Sequence, residues 1–129
     1  MKDDRIKTIT EEKGFFKHNN FEFVEVTENR AIIKANLTEN SMNPYHIVHG
    51  GLTFGLGDMA MGALLGVKGR SAVTLSANIT YLKPGKGNYI TAKAEIVKYG
   101  KQTAFAKCNI YNEKEELIAT MDGNYFFID

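Results

Sequence analysis

Gly50-Gly51-Leu52-Thr53-Phe54-Gly55-Leu56-Gly57-Asp58-Met59-Ala60-Met61-Gly62-Ala63-Leu64-Leu65-Gly66-Val67-Lys68 is the stretch on which the fold turns. Leu52, Phe54, Leu56, Met59, Met61, Leu64, Leu65 and Val67 wrap much of a helical circumference, the pattern of a buried helix. Glycines at 51, 55, 57, 62 and 66 each cost about 1 kcal/mol relative to Ala in a helix interior. That many glycines make sense where other backbone passes close to the helix. The apolar run Gly51–Val67 falls short of the ~20 residues that span a bilayer and carries Asp58, so a core helix is expected and no membrane span.

The sequence on either side of this helix reads mostly as β-structure. Residues 21–27, rich in Phe and Val, read as a strand whose alternation breaks at Val24, the mark of a bulge or an edge. Ala31, Ile33, Ala35 and Leu37 share one face of a strand over 30–38. After the helix, Val73, Leu75, Ala77, Ile79 and Tyr81 fall on one face. Ile90, Ala92, Ala94 and Ile96 do so in the next strand, then Ala104, Ala106, Cys108 and Ile110, then Ala119, Met121, Gly123 and Tyr125. Residues 84–88, Gly100-Lys101 and 112–115 are turns, so the strands after the helix are expected to form an antiparallel meander. Many inward positions are Ala or Gly, which lets a curved sheet close around something thick. The long helix is the only thick apolar element available. An α+β fold follows, one central helix wrapped by an antiparallel sheet. Before the first strand, Ile6, Ile9, Phe15 and Phe16 suggest a weak helix over 6–18, so residues 1–19 read as an N-terminal helical or irregular segment.

The chain has 129 residues, 43% apolar and 24% charged, which fits one soluble domain. A formal net charge of +1 argues against a nucleic-acid partner. Cys108 is the only cysteine, so no internal disulfide forms; it reads as a small core residue in a reducing compartment. Residues 1–10 are polar and lack the apolar core of a secretory signal, so a cytoplasmic location is expected.

Candidate chemistry gathers where the loop Asn43-Pro44-Tyr45-His46-Ile47-Val48-His49 meets Gly50-Gly51. A helix N-terminus presents unpaired N–H groups and partial positive charge. Glycines at Gly50 and Gly51 let a ligand reach the backbone, and such amides can stabilise an oxyanion. Asp58 lies two turns further on, among apolar neighbours. Desolvation there is expected to raise its basicity, as suits a general base or nucleophile. The residues alone leave open that Asp58 faces solvent or a polar partner, that Asn43 only shapes a turn, and that His49 only caps the helix. No zinc spacing, phosphate loop or nucleophile elbow is present, and neither metal nor cofactor is expected.

The ordered set Asn43, His49, Gly50, Gly51 and Asp58 resembles the motif of the PaaI-like (phenylacetic acid degradation type) hot-dog thioesterases. The resemblance continues through Thr74-Leu75-Ser76-Ala77-Asn78-Ile79-Thr80-Tyr81-Leu82-Lys83-Pro84, through Gly100-Lys101 and into the closing strand. It implies the hot-dog fold and hydrolysis of acyl-CoA thioesters. It implies that Asp58 activates water or attacks the thioester, that the Gly50 N–H polarises the carbonyl, that Asn43 positions substrate or water, and that His49 supports the carbonyl end. Thr74 matches a position that helps hold the water, with Ser76, expected on the same strand face, as an alternative. It further implies a site shared between subunits, hence an obligatory homodimer and, commonly, a homotetramer. Lys68, Arg70, Lys83, Lys86 and Lys101 lie near element ends, as candidates for the CoA phosphates or as ordinary surface charges. Two other readings are a non-catalytic acyl-CoA sensing module, and a hot-dog hydratase or dehydratase in which Asp58 and His49 move protons at carbon.

Overall fold

The computed structural model describes residues 14–129. Helix α1 (Phe15–His18) leads into β1 (Phe21–Val26) and β2 (Arg30–Asn36). A 3-10 turn (Glu39–Ser41) and a loop lead into α2 (Gly50–Val67), followed by β3 (Ala72–Tyr81), β4 (Tyr89–Tyr99), β5 (Thr103–Asn112) and β6 (Leu117–Phe127). The six strands form one antiparallel sheet in the order β1-β2-β4-β5-β6-β3.

This sheet curls around α2, as the small inward residues require. Ala31, Ala35, Ala92, Ala94, Ala104, Ala106 and Ala119 are buried beneath the helix, alongside Leu56, Ala60, Met61, Leu64 and Leu65 from α2 itself. Cys108 lies in this core, where burial pushes its thiol up to about 12, so it stays protonated and packs as an apolar group. The apolar character of α2 is therefore that of a core helix. The break at Val24 is a bulge between Phe23 and Glu25, and β1 is also an edge strand.

The meander holds only for β4, β5 and β6. β3 pairs with β6 instead of β4, because β4 already has β2 on one side and β5 on the other. The connection at 82–88 therefore crosses over the end of the helix. It is tied down on the way: Ile118 O accepts from Leu82 N, Gly85 O accepts from Val48 N, and Asn88 O accepts from Leu37 N.

The glycines of α2 serve different ends. At Gly57 a Cβ would stand 2.1 Å from Met121 Sδ and 3.3 Å from Ile110 Cδ1, and at Gly55 it would stand 2.7 Å from the Phe15 ring. The close neighbours are thus side chains, not the backbone expected. Gly62 and Gly66 have nothing within 4 Å and lie on a side of the helix that the sheet leaves uncovered. Of the N-terminal apolar set, Phe16 is buried and Phe15 is exposed; Ile6 and Ile9 fall outside the described residues.

Candidate active site

The start of α2 is held by its own flanking loop. Thr38 and Ser41 form a reciprocal capping box around the 3-10 turn, Met42 bridges Val48, and His49 N donates to Ser41 O at 2.8 Å. Asn43 Oδ1 accepts from Tyr45 N at 2.9 Å and Ile47 N at 3.4 Å. Asn43 therefore does shape the turn. The same bonds commit its carbonyl oxygen to the loop and leave the Nδ2 amide as the part available to a ligand. His49 is the N-cap, its Nδ1 accepting from Gly51 N at 2.8 Å. Leu52 N and Thr53 N both bond to His49 O. Gly50 N–H is left without a partner among the described residues. Tyr81 donates its hydroxyl to Gly50 O at 2.6 Å, and partial burial raises that phenol above its ordinary range. Asn43, Gly50, Thr53, Tyr81 and Lys83 border one cleft of about 370 Å³.

Asp58 looks out on a different cleft, of about 530 Å³, which it shares with Phe15, Met59, Gly62, Thr74 and Tyr125. The sequence places this acid among apolar neighbours. In the fold it is half-buried and hydrogen-bonded: Thr74 Oγ1 and the Tyr125 hydroxyl each donate to its Oδ1 at 2.8 Å. Its Oδ2 has no side-chain donor among the described residues.

The face of β3 is corrected by a bulge between Thr74 and Ser76. Thr74 pairs with the inward Tyr125 and Ser76 with the outward Asn124, whose Nδ2 donates to Ser76 Oγ at 3.2 Å. One inserted residue switches which side faces the helix. Ala72, Thr74, Ala77 and Ile79 turn towards α2, while Val73 and Leu75 are 46% and 59% exposed. Thr74 and Ser76 thus lie on opposite faces, not the shared face expected, and only Thr74 reaches Asp58.

Among the basic candidates, Lys83 borders the Gly50 cleft while paired with Glu116 at 2.5 Å, and Lys86 is exposed on the same connection. Arg70 follows the far end of α2, roughly 27 Å from its start by helix length. It is held there by Asp129 and by Lys101 O, and Lys68, the C-cap, lies over the Tyr99 ring. The five do not form one patch within a protomer. Among the described residues no group of His, Cys, Asp and Glu is arranged to hold a metal ion.

Gly50 and Asp58 stand eight residues apart on one helix, about 12 Å along its axis and about 80° around it. No thioester carbonyl can lie within hydrogen-bond reach of both in one protomer. The sequence reading missed Tyr125 as a site residue. The available signal was a polar-tipped aromatic at an inward position of a strand otherwise lined by Ala, Met and Gly.

One long helix embraced by a six-stranded antiparallel sheet is the hot-dog fold. Residues 45–119 match the thioesterase superfamily, and the chain belongs to that family. It is PaaI-like. The acyl-coenzyme A thioesterase PaaI of Escherichia coli is 29% identical over 103 residues, covering 79% of this chain and 74% of that protein. The solved structure of E. coli PaaI superposes with a TM-score of 0.93 at 25% identity, covering 99% of this chain and 94% of that one. Human acyl-coenzyme A thioesterase 13 is 32% identical over 111 residues, covering 78% of this chain and 79% of that protein. A Streptococcus pneumoniae thioesterase solved with coenzyme A gives a TM-score of 0.81 at 28% identity, covering 84% and 89% of the two chains.

Proposed function

We propose that this protein hydrolyses acyl-CoA thioesters to the free acid and CoA. The observation that carries the reading is the Asp58 carboxylate, fixed through Oδ1 with Oδ2 unoccupied at the wall of a cleft. Asp58 acts as general base or as nucleophile. As base it takes a proton from water, the hydroxide adds to the carbonyl carbon, the C–S bond breaks and the thiolate leaves as the thiol. As nucleophile its oxygen adds to the carbonyl carbon, the C–S bond breaks and CoA leaves as the thiolate, and water then cleaves the resulting mixed anhydride to the free acid and the Asp58 carboxylate. In either case the carbonyl oxygen gains negative charge, and the Gly50 N–H is the amide that receives it. Asn43 borders the Gly50 cleft and is assigned to position substrate or water there; His49 opens on a separate cleft with Gly51 and Leu52 and supports the carbonyl end by capping the helix, and Thr74 keeps Asp58 in place.

The spacing of Gly50 and Asp58 supports a site built from two subunits, so the homodimer is the smallest active unit. Among the described residues β3 is an edge strand carrying exposed Val73 and Leu75, and one side of α2 is uncovered. Both features suit a second copy. We extend the assembly to a homotetramer of two dimers. Lys83 and Lys86, on the connection beside Gly50, are assigned to the CoA phosphates. Gly51, Ser76, Arg70 and Lys101 are secondary candidates. The free Cys108 thiol fits a cytoplasmic location.

The test is thiol release across aryl- and fatty-acyl-CoAs. Asp58→Asn should abolish most turnover while keeping the fold. Near-normal kcat in that variant rejects the proposal, and tight acyl-CoA binding without thiol release would establish a sensing module instead. After a single turnover in ¹⁸O water, label in Asp58 establishes the nucleophile, because the general-base route places label only in the released acid.

A further inference from the structure

Tyr125 is 2% exposed, yet its hydroxyl reaches the reactive acid. A buried phenol that served packing alone could be Phe, which fills the same space and needs no partner. Here the hydroxyl bonds to Asp58, at 2.8 Å from Oδ1 and 3.5 Å from the backbone oxygen. An ionised carboxylate only accepts, so Thr74 and Tyr125 both act as donors. Burial, and then the neighbouring Asp58 charge, push the Tyr125 phenol far above its ordinary range, so it remains a donor wherever the protein is folded. The two donors come from separate strands, β3 and β6, and converge on one oxygen. That convergence fixes the carboxylate's rotation as well as its place.

The ring is itself seated by a glycine. A Cβ at Gly123 would stand 3.0 Å from Tyr125 Cε1 and 3.3 Å from its hydroxyl oxygen. The ring therefore lies back along β6 over Gly123, and a side chain there would move the hydroxyl.

We propose that Tyr125 is a positioning residue for the thioesterase reaction: seated by Gly123, it holds Asp58 Oδ1 so that Oδ2 is presented to water or to the thioester. This rests on the Asp58 reading above.

The experiment compares Tyr125→Phe, Gly123→Ala, Asp58→Asn and the wild type, by thiol release from hexanoyl-CoA and phenylacetyl-CoA across pH, with thermal melts in parallel. Tyr125→Phe keeps the ring and should lower kcat about tenfold with KM unchanged. Gly123→Ala keeps the hydroxyl but displaces it, and should reproduce the loss of kcat. Wild-type kcat in Tyr125→Phe, beside an inactive Asp58→Asn, overturns the proposal and leaves Tyr125 as packing. A change confined to KM or to melting temperature overturns it equally. Should Tyr125→Phe not fold, unchanged kcat in Gly123→Ala overturns it. Full turnover in Asp58→Asn rejects the site reading and this inference with it.

Discussion

His49 Nδ1 accepts the Gly51 N–H at 2.8 Å, and that bond decides which amide at the head of α2 is left for a ligand. With Gly51 capped, and Leu52 and Thr53 bonded to His49 O, the Gly50 N–H is the one that remains. Gly50→Pro removes it with little other change. Proline is favoured at the first position of a helix. The residue before it must be extended, and His49 already has φ −60° and ψ 133°. The nearest obstacle to a Cβ is the Tyr81 hydroxyl at 3.0 Å, the end of a side chain that can shift. The variant should fold, with kcat reduced on the order of 10²–10³-fold, as for loss of an oxyanion donor. Circular dichroism and thiol release check both halves; full kcat would remove this amide from the mechanism.

The axial gap between Gly50 and Asp58 makes a second prediction, about mixtures. Gly50→Pro and Asp58→Asn homodimers should each be inactive. In a mixed dimer one of the two sites pairs the lesions, and the other pairs an intact Gly50 with an intact Asp58. Random mixing should therefore restore about a quarter of wild-type activity. Co-expression followed by assay of the purified mixture tests this. No recovery in demonstrably mixed dimers would place both groups in one protomer's site.

Two glycines of α2 should respond in opposite senses to the same substitution. Gly57→Ala drives a Cβ into Met121 Sδ and towards Ile110 in a packed interior, and should cost about 1–3 kcal/mol from overpacking. Gly66→Ala meets nothing within 4 Å and should contribute up to about 1 kcal/mol through helix propensity. Thermal and denaturant unfolding of the two variants checks the contrast. Destabilisation by Gly66→Ala in the dimer would mean that the second copy covers that side.

The central helix, the Ala-rich inner faces and the bulge at Val24 were legible in the sequence because each is a local pattern of size and period. Of the candidate site residues, Asn43 and Gly50 border one cleft, as their closeness in the chain suggests, while His49 and Asp58 open on two others, which depends on the direction each side chain takes from the helix. The partner of β3 was not legible. Short connections suggest adjacency, but β4 fills both its edges with β2 and β5, and that competition involves strands far apart in the chain. The phase of the first half of β3 was missed, with Val73 and Leu75 placed inward, because no residue type announces the bulge after Thr74. Tyr125 looked like any inward aromatic, since its bond to Asp58 depends on how closely the sheet approaches the helix.

The inserted residue in β3 also reverses which of its positions are free to vary. Up to Thr74 the even-numbered side chains are constrained, by the helix and by the acid. From Ala77 onward the odd-numbered ones are, through Ile79 to Tyr81 and its grip on Gly50. Deleting Leu75 would leave Ala72, Thr74, Ala77, Ile79 and Tyr81 on one face of a regular strand, so both ends would keep their inward side chains and the strand would lose only the bend and extra twist of the bulge.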